Sequence, residues 1–240
     1  MATGTGIIRT ITPMTMSTDA SEGMLTLLAW LSPAFPVGAF SYSHGLEWAI
    51  ETGDITDLAS LVAWVGDVLE AGTGLVDATI LHAAMTLNDA DLRDLAELAA
   101  ALHPTRERRM ESLNQGRAFL DTVSAAWPAP GLDRLARLWD GPVAYPVAVA
   151  MAARAHGIDA RLVVPAYLQA FAANLVSAAV RLVPLGQTDG QRAVEKLLPL
   201  IRRVAAEART LSPETVGGAC LRSDIASMRH ETQYTRLFRS

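Results

Sequence analysis

The sequence predicts an all-α fold, on three observations. Apolar residues recur at intervals of three and four along most of the chain. No period-2 stretch of useful length occurs. Alanine is abundant and aromatic residues make up only 6%, which suits closely packed helices. The expectation is a single globular helical bundle domain of roughly ten helices over residues 22–222, with a flexible N-terminal arm at 1–21 and a C-terminal docking segment at 223–240. With 50% hydrophobic and 19% charged residues in 240, there is ample material for a core.

The arm is rich in Thr, Gly and Ser. A first helix is expected from Glu22 to Leu31, with Leu25, Leu28 and Ala29 on one face and Ser32-Pro33 ending it, because the residue before proline disfavours the α region. Pro33, Pro36 and Gly38 mark a turn. Ser41, or alternatively Ser43, is an N-cap for the next helix, which stops at Gly53. Thr56 is the expected cap of a stripe made by Leu58, Leu61, Val62, Val65 and Leu69. Gly72 and Gly74 break it before Val76–Leu87. Asn88–Asp91 is a turn, with Asp89 and Asp91 as helix-start signals, and Leu92, Leu95, Leu98, Ala99 and Leu102 form the next face, closed by Pro104. Thr105–Trp127 is amphipathic, and its run Arg106, Glu107, Arg108, Arg109 and Glu111 reads as a solvated face. Pro128 and Pro130 lie in a connector. Short helices follow over Asp133–Trp139 and Pro142–His156. Pro165 is placed in the first turn of a long buried helix through Val183. Thr188 with Gln191 matches a capping box for a last helix from about Asp189 to Thr210, kinked near Pro199.

Composition excludes several classes. A net charge of −5, with Lys196 the only lysine, leaves no electrostatic footprint for nucleic acid and no polybasic membrane patch. Val163–Leu185 is interrupted by Pro165, Gln169, Asn174, Arg181 and Pro184, so it reads as a buried helix rather than a span. The start lacks the basic and apolar regions of a secretory signal, and the single Cys220 fits a reducing compartment, so the expectation is cytoplasmic. No phosphate loop, His-Glu-x-x-His pair, Cys-x-x-Cys or Gly-x-Ser-x-Gly elbow occurs, and the five histidines are scattered. An enzyme is not expected, nor a catalytic residue, bound cofactor or metal site.

Three stretches stand out from the helical background. The first is Ser32-Pro33-Ala34-Phe35-Pro36-Val37-Gly38-Ala39-Phe40-Ser41-Tyr42-Ser43-His44-Gly45-Leu46-Glu47. A capped helix start explains Pro36, Gly38 and Ser41 but does not require Tyr42, His44 and Glu47. Gly45 allows close backbone approach. The second is Arg181-Leu182-Val183-Pro184-Leu185-Gly186-Gln187-Thr188-Asp189-Gly190-Gln191, where Arg181 also suits a helix C-terminus. The third, Arg229-His230-Glu231-Thr232-Gln233-Tyr234-Thr235-Arg236-Leu237-Phe238-Arg239-Ser240, is dense in the Arg and aromatic types that dominate interface hot spots. A frayed terminus is the alternative reading.

These stretches, in this order, resemble the UreF family of urease accessory proteins over about residues 24–240. Ala39 departs from the family, which commonly has a second glycine there. The resemblance implies an all-helical homodimer without enzymatic chemistry that binds UreD/UreH, the GTPase UreG and apo-urease for GTP-dependent nickel delivery. It implies that the C-terminal segment contacts UreD/UreH and becomes ordered there. Arg229, Tyr234, Arg236 and Phe238 are the expected anchors, supported by Arg239, His230 and Glu231. Tyr42, His44 and Glu47 join them as partner-binding candidates. Arg181, Gln187, Thr188 and Gln191 form a polar patch nearby or position the tail. Two alternatives remain: stimulation of UreG hydrolysis by a presented Arg181 or Arg236, and direct nickel carriage through His44, His230 or Cys220.

Overall fold

The computed structural model describes residues 19–240, and among them eleven α-helices, a short 3-10 turn and no strand. The expected all-α fold is what is found. Of the arm expected at 1–21, residues 1–18 lie outside the described residues, and Ala20 and Ser21 are already helical.

The first helix, α1 (Ala20–Trp30), starts at Asp19, whose carboxylate accepts from the Ser21 amide at 3.3 Å. Its inward face is Gly23, Leu27 and Trp30. Leu25 and Leu28 share a face as expected, but it is the outer one, 68% and 63% exposed. The proline turn leads through the 3-10 turn Ala39–Ser41 to α2 (Leu46–Glu51), capped by the left-handed backbone of Gly45 rather than by Ser41 or Ser43. Gly53 takes the expected positive-φ position after it. Helix α3 (Leu58–Glu70) is capped by Asp57, one residue after the expected Thr56, through a reciprocal box with Ser60.

After the break at Gly72 comes α4 (Thr73–Thr86), then α5 (Asp89–Ala101). Asn88 caps α5 by accepting from the Ala90 and Asp91 amides at 3.0 and 3.2 Å. Helix α6 (Arg106–Ala126) starts at Thr105, α7 (Arg134–Leu138) is short, and α8 (Tyr145–Ala155) is buried over most of its length. In α9 (Ala160–Leu182) the cap is Asp159, so Pro165 lies inside the second turn rather than in the first. In α10 (Gln187–Ala208) the capping position belongs to Gly186, without a side-chain bond, which puts Thr188 and Gln191 inside the helix instead of in a capping box. The last helix, α11 (Leu221–His230), crosses the expected boundary at 222/223.

Small residues set how closely these helices approach. Helix α9 packs on α10, α4, α3 and α2, while α8 packs on α6 and α4, so α4, α8 and α9 form the centre. Ala148, Ala150, Ala152 and Ala153 on α8 are fully buried. The stretches Leu58–Thr86 and Ala160–Leu182 are long and apolar enough to cross a membrane, and about half of each is buried in the protein's own core. An aromatic cluster of Trp30, Phe35, Phe119 and Trp127 closes one end by edge and tilted contacts. At the other end, α11 packs on α2 and α6 and delivers the chain to the candidate site.

Candidate functional site: the clasped C-terminal segment

Residues 231–240 lie against α2 and the start of α6, held by carboxylates that project from those helices. Glu47, on the first turn of α2, is buried and accepts from the Leu237 amide at 2.7 Å and the Phe238 amide at 2.9 Å. Its second oxygen also faces His230 Nε2 at 3.3 Å. The other ring nitrogen, Nδ1, meets Glu107 at 2.7 Å, and Glu107 also pairs with Arg236 at 3.0 Å. Gln233 bonds to Glu51. Arg239 donates its amide to the Ser41 carbonyl at 2.8 Å, and the Ser240 carbonyl accepts from the Ser43 amide at 2.7 Å. Charge-assisted bonds are worth ~1.5–3 kcal/mol each, enough in combination to hold a ten-residue segment without regular structure.

The electrostatics of the two histidines differ. Burial alone would lower the pKa of His230, but the hydrogen bonds and charges of Glu107 and Glu47 outweigh it and raise the value. His44 bonds to Glu111 through Nε2 at 2.6 Å, yet burial and the Arg108 charge depress its pKa. The His44 ring meets the Glu111 carboxyl, whose ionised form the surroundings favour. Burial opposes that ionisation, but His44, Arg108 and the Ser240 hydroxyl at 2.8 Å bring the carboxyl below its usual range.

Behind Glu111 lies a polar interior around a cavity of about 30 Å³, bordered by His44, Asp77, His103 and Arg108. Arg108 bonds to Thr73, while Asp77 accepts from the Tyr167 hydroxyl at 2.7 Å. Burial drives the Asp77 pKa up to about 7, against the Tyr167 hydrogen bond and the Arg108 charge. Arg108 and Glu111 are only 3% and 5% exposed. The charged run at the start of α6 is thus not a wholly solvated face. Two of its members are core residues, Arg108 bonded to Thr73 and Glu111 to His44 and Ser240, all from outside α6.

Gly45 makes the clasp geometrically possible. Its φ is +76°, and a Cβ there would sit 2.6 Å from the Ser227 amide nitrogen, so α11 can press on this turn only where no side chain intervenes. Next to it, Thr105 and Ser227 join hydroxyls at 2.8 Å. Arg181 covers the Phe238 ring, its guanidinium carbon 4.5 Å from the centroid, and donates to the Phe40 carbonyl at 2.9 Å. A cation–π contact at such an exposed site contributes about 0.5–1 kcal/mol.

The structure sorts the candidate residues into two groups. Tyr42, His44, Glu47, His230 and Phe238 are buried. They are covered in this conformation, and Glu47 and His230 help to seat residues 231–240. Arg229, Glu231, Tyr234, Arg236 and Arg239 are exposed, Tyr234 completely. Gln187, Thr188 and Gln191 lie exposed on the first turns of α10 and make no side-chain hydrogen bond to the segment among the described residues. Of the two arginines considered for presentation to a GTPase, Arg181 is engaged with Phe40 and Phe238, and Arg236 with Glu107. Sequence reasoning missed Ser43, Glu107 and Glu111. The i, i+4 spacing of Glu107 and Glu111 ahead of a basic terminus was the available signal.

Fold and site together define a helical protein whose distinguishing feature is a basic, aromatic C-terminal segment seated on buried carboxylates. The chain belongs to the UreF family: the UreF family model matches residues 55–198. It is 52% identical over 226 residues to the urease accessory protein UreF of Xanthobacter autotrophicus, covering 92% of this chain and 93% of that one. The urease accessory protein UreF of a Methylobacterium species is 54% identical, covering 90% and 88%. That of Azorhizobium caulinodans is 51% identical, covering 95% and 100%.

Proposed function

We propose that this chain is a cytoplasmic, non-catalytic adaptor in urease maturation, acting as a homodimer without a cofactor and without nucleic-acid or membrane partners. Its C-terminal segment docks UreD/UreH, and another face of the dimer receives the GTPase UreG. The assembly then works on apo-urease for GTP-dependent nickel insertion. The observation that supports docking is the inverted polarity of α11. Ser223, Ser227 and His230 face inward, while Leu221, Ile225 and Met228, at i, i+4 and i+7, face out at 51–69% exposure. Tyr234 and Leu237 on the clasped segment are exposed as well. A surface pre-ordered by the Glu47 and Glu111 contacts loses less entropy on binding than a free tail.

Deleting residues 229–240 and measuring capture of UreD/UreH tests the reading, with loss of capture expected. Because deletion also removes buried Phe238 and Ser240, the variant Tyr234→Ala/Leu237→Asp is measured beside it; both side chains point outward. Undiminished capture by the folded double variant and by the deletion would sink the docking role.

A further inference from the structure

A groove of about 350 Å³ runs beside the clasped segment, between it and the outer face of α6. Arg106, Met110 and Asn114, at i, i+4 and i+8, form one wall; Arg236, Arg239 and Glu231 lie across from them. The whole chain carries a net charge of −5, yet this groove gathers three guanidinium groups against Glu107 and Glu231. Glu107 is already held by His230 at 2.7 Å and Arg236 at 3.0 Å, so it has little left to neutralise other cations. Neither Arg106 nor Arg239 makes an ion pair among the described residues. Met110 is exposed and apolar. The helical rise from Arg106 to Asn114 gives the wall a length of ~12 Å, which matches three to four residues of extended chain.

We propose that the groove receives an extended acidic segment of the docking partner, with carboxylates meeting Arg106 and Arg239 and an apolar side chain resting on Met110. This rests on the docking reading above and adds to it the chemistry of what is recognised. Guanidinium groups suit the task because their fork geometry takes a carboxylate through two parallel bonds. As exposed charges they act chiefly on association rate and salt dependence.

The test uses the full chain and measures binding kinetics to UreD/UreH at low and high salt. The variant is Arg106→Glu/Arg239→Glu, and the control with the same charge change is Arg202→Glu/Arg209→Glu, at exposed positions in the last turns of α10 and just after it. Glutamate at the first position of α6 is favoured by the helix dipole, so the fold is preserved. The groove variant is expected to bind on the order of 100-fold more weakly than the control, about tenfold per reversed charge, mostly through slower association and with a flatter salt dependence. Arg106→Ala/Arg239→Ala should fall between. Binding by the groove variant within about threefold of the control overturns the proposal, as does a change confined to self-association. Where residues 229–240 are needed for capture but the groove variant behaves like its control, the groove fails and the docking reading stands. Where the deletion and Tyr234→Ala/Leu237→Asp both bind undiminished, the docking reading fails first.

Discussion

Glu47→Gln should loosen the C-terminal segment while leaving the bundle folded. In the parent, the Glu47 carboxylate accepts two backbone amides, Leu237 at 2.7 Å and Phe238 at 2.9 Å, and faces His230 at 3.3 Å. Glutamine keeps one acceptor oxygen but turns an amide NH₂ toward the second partner, and it removes the counter-charge of a buried imidazole. Losing one charge-assisted bond and weakening the ion pair costs about 3 kcal/mol, or on the order of 100-fold in local opening. Ser43, Glu111 and Arg181 still hold Ser240 and Phe238, so the segment loosens without becoming free of the surface. Native-state hydrogen exchange reads this directly: protection of the Leu237 and Phe238 amides should fall about 100-fold, while amides in α8 and α9 keep theirs. Protection at Leu237 and Phe238 within about threefold of the parent would refute the argument that Glu47 seats the segment. A pH series supplies a second arm. The folded-state pKa of His230 is raised, so its contribution is full below the unfolded value near 6.5 and is lost as pH rises through the folded value. Segment protection, corrected for intrinsic exchange, should therefore decline on the alkaline side, and less so in Glu47→Gln.

The remaining predictions concern the interior and the self-association face. Asp77 has a folded pKa of about 7 against 3.8 unfolded, so stability falls as pH rises between those values, and the cost is complete above 7. Asp77→Asn keeps an acceptor for Tyr167 and removes the charge; it should raise stability near pH 8 by up to about 4 kcal/mol and give no gain below about pH 4. Equal effects at both pH values in thermal unfolding would rule this out. The proposed homodimer has a candidate face in Met24, Leu25 and Leu28 on α1, all exposed. Leu25→Asp/Leu28→Asp should halve the mass seen by analytical ultracentrifugation, and an unchanged mass would exclude this face.

What was legible in the sequence divides along a physical line. Helix positions followed from periodicity, because an apolar stripe at 3.6 residues is a local signal and the core of α3, α5 and α9 obeys it. Helix starts were less legible where glycine backbone, at Gly45 and Gly186, does the work expected of a hydroxyl or amide side chain. The clasp was legible only as unusual composition. Its bonds join residues far apart in the chain, as with Glu47 and Leu237, 190 positions apart. A buried glutamate looks the same as a solvated one until its partners are in place. A charged run at helical spacing therefore reads as solvated even where, as at Arg108 and Glu111, it is buried. The same limit applies to α11, where the rule of apolar inside and polar outside gives the wrong face. Ser223, Ser227 and His230 turn inward because Thr105, Glu107 and Glu47 offer partners there to Ser227 and His230. That leaves Leu221, Ile225 and Met228 outside. Ser227 and His230 are bonded inside, the Ser223 hydroxyl is buried without a hydrogen-bond partner among the described residues, and the apolar residues on the opposite side stay uncovered. That inversion supports the proposed docking more directly than the richness of the segment in arginine and aromatic residues does.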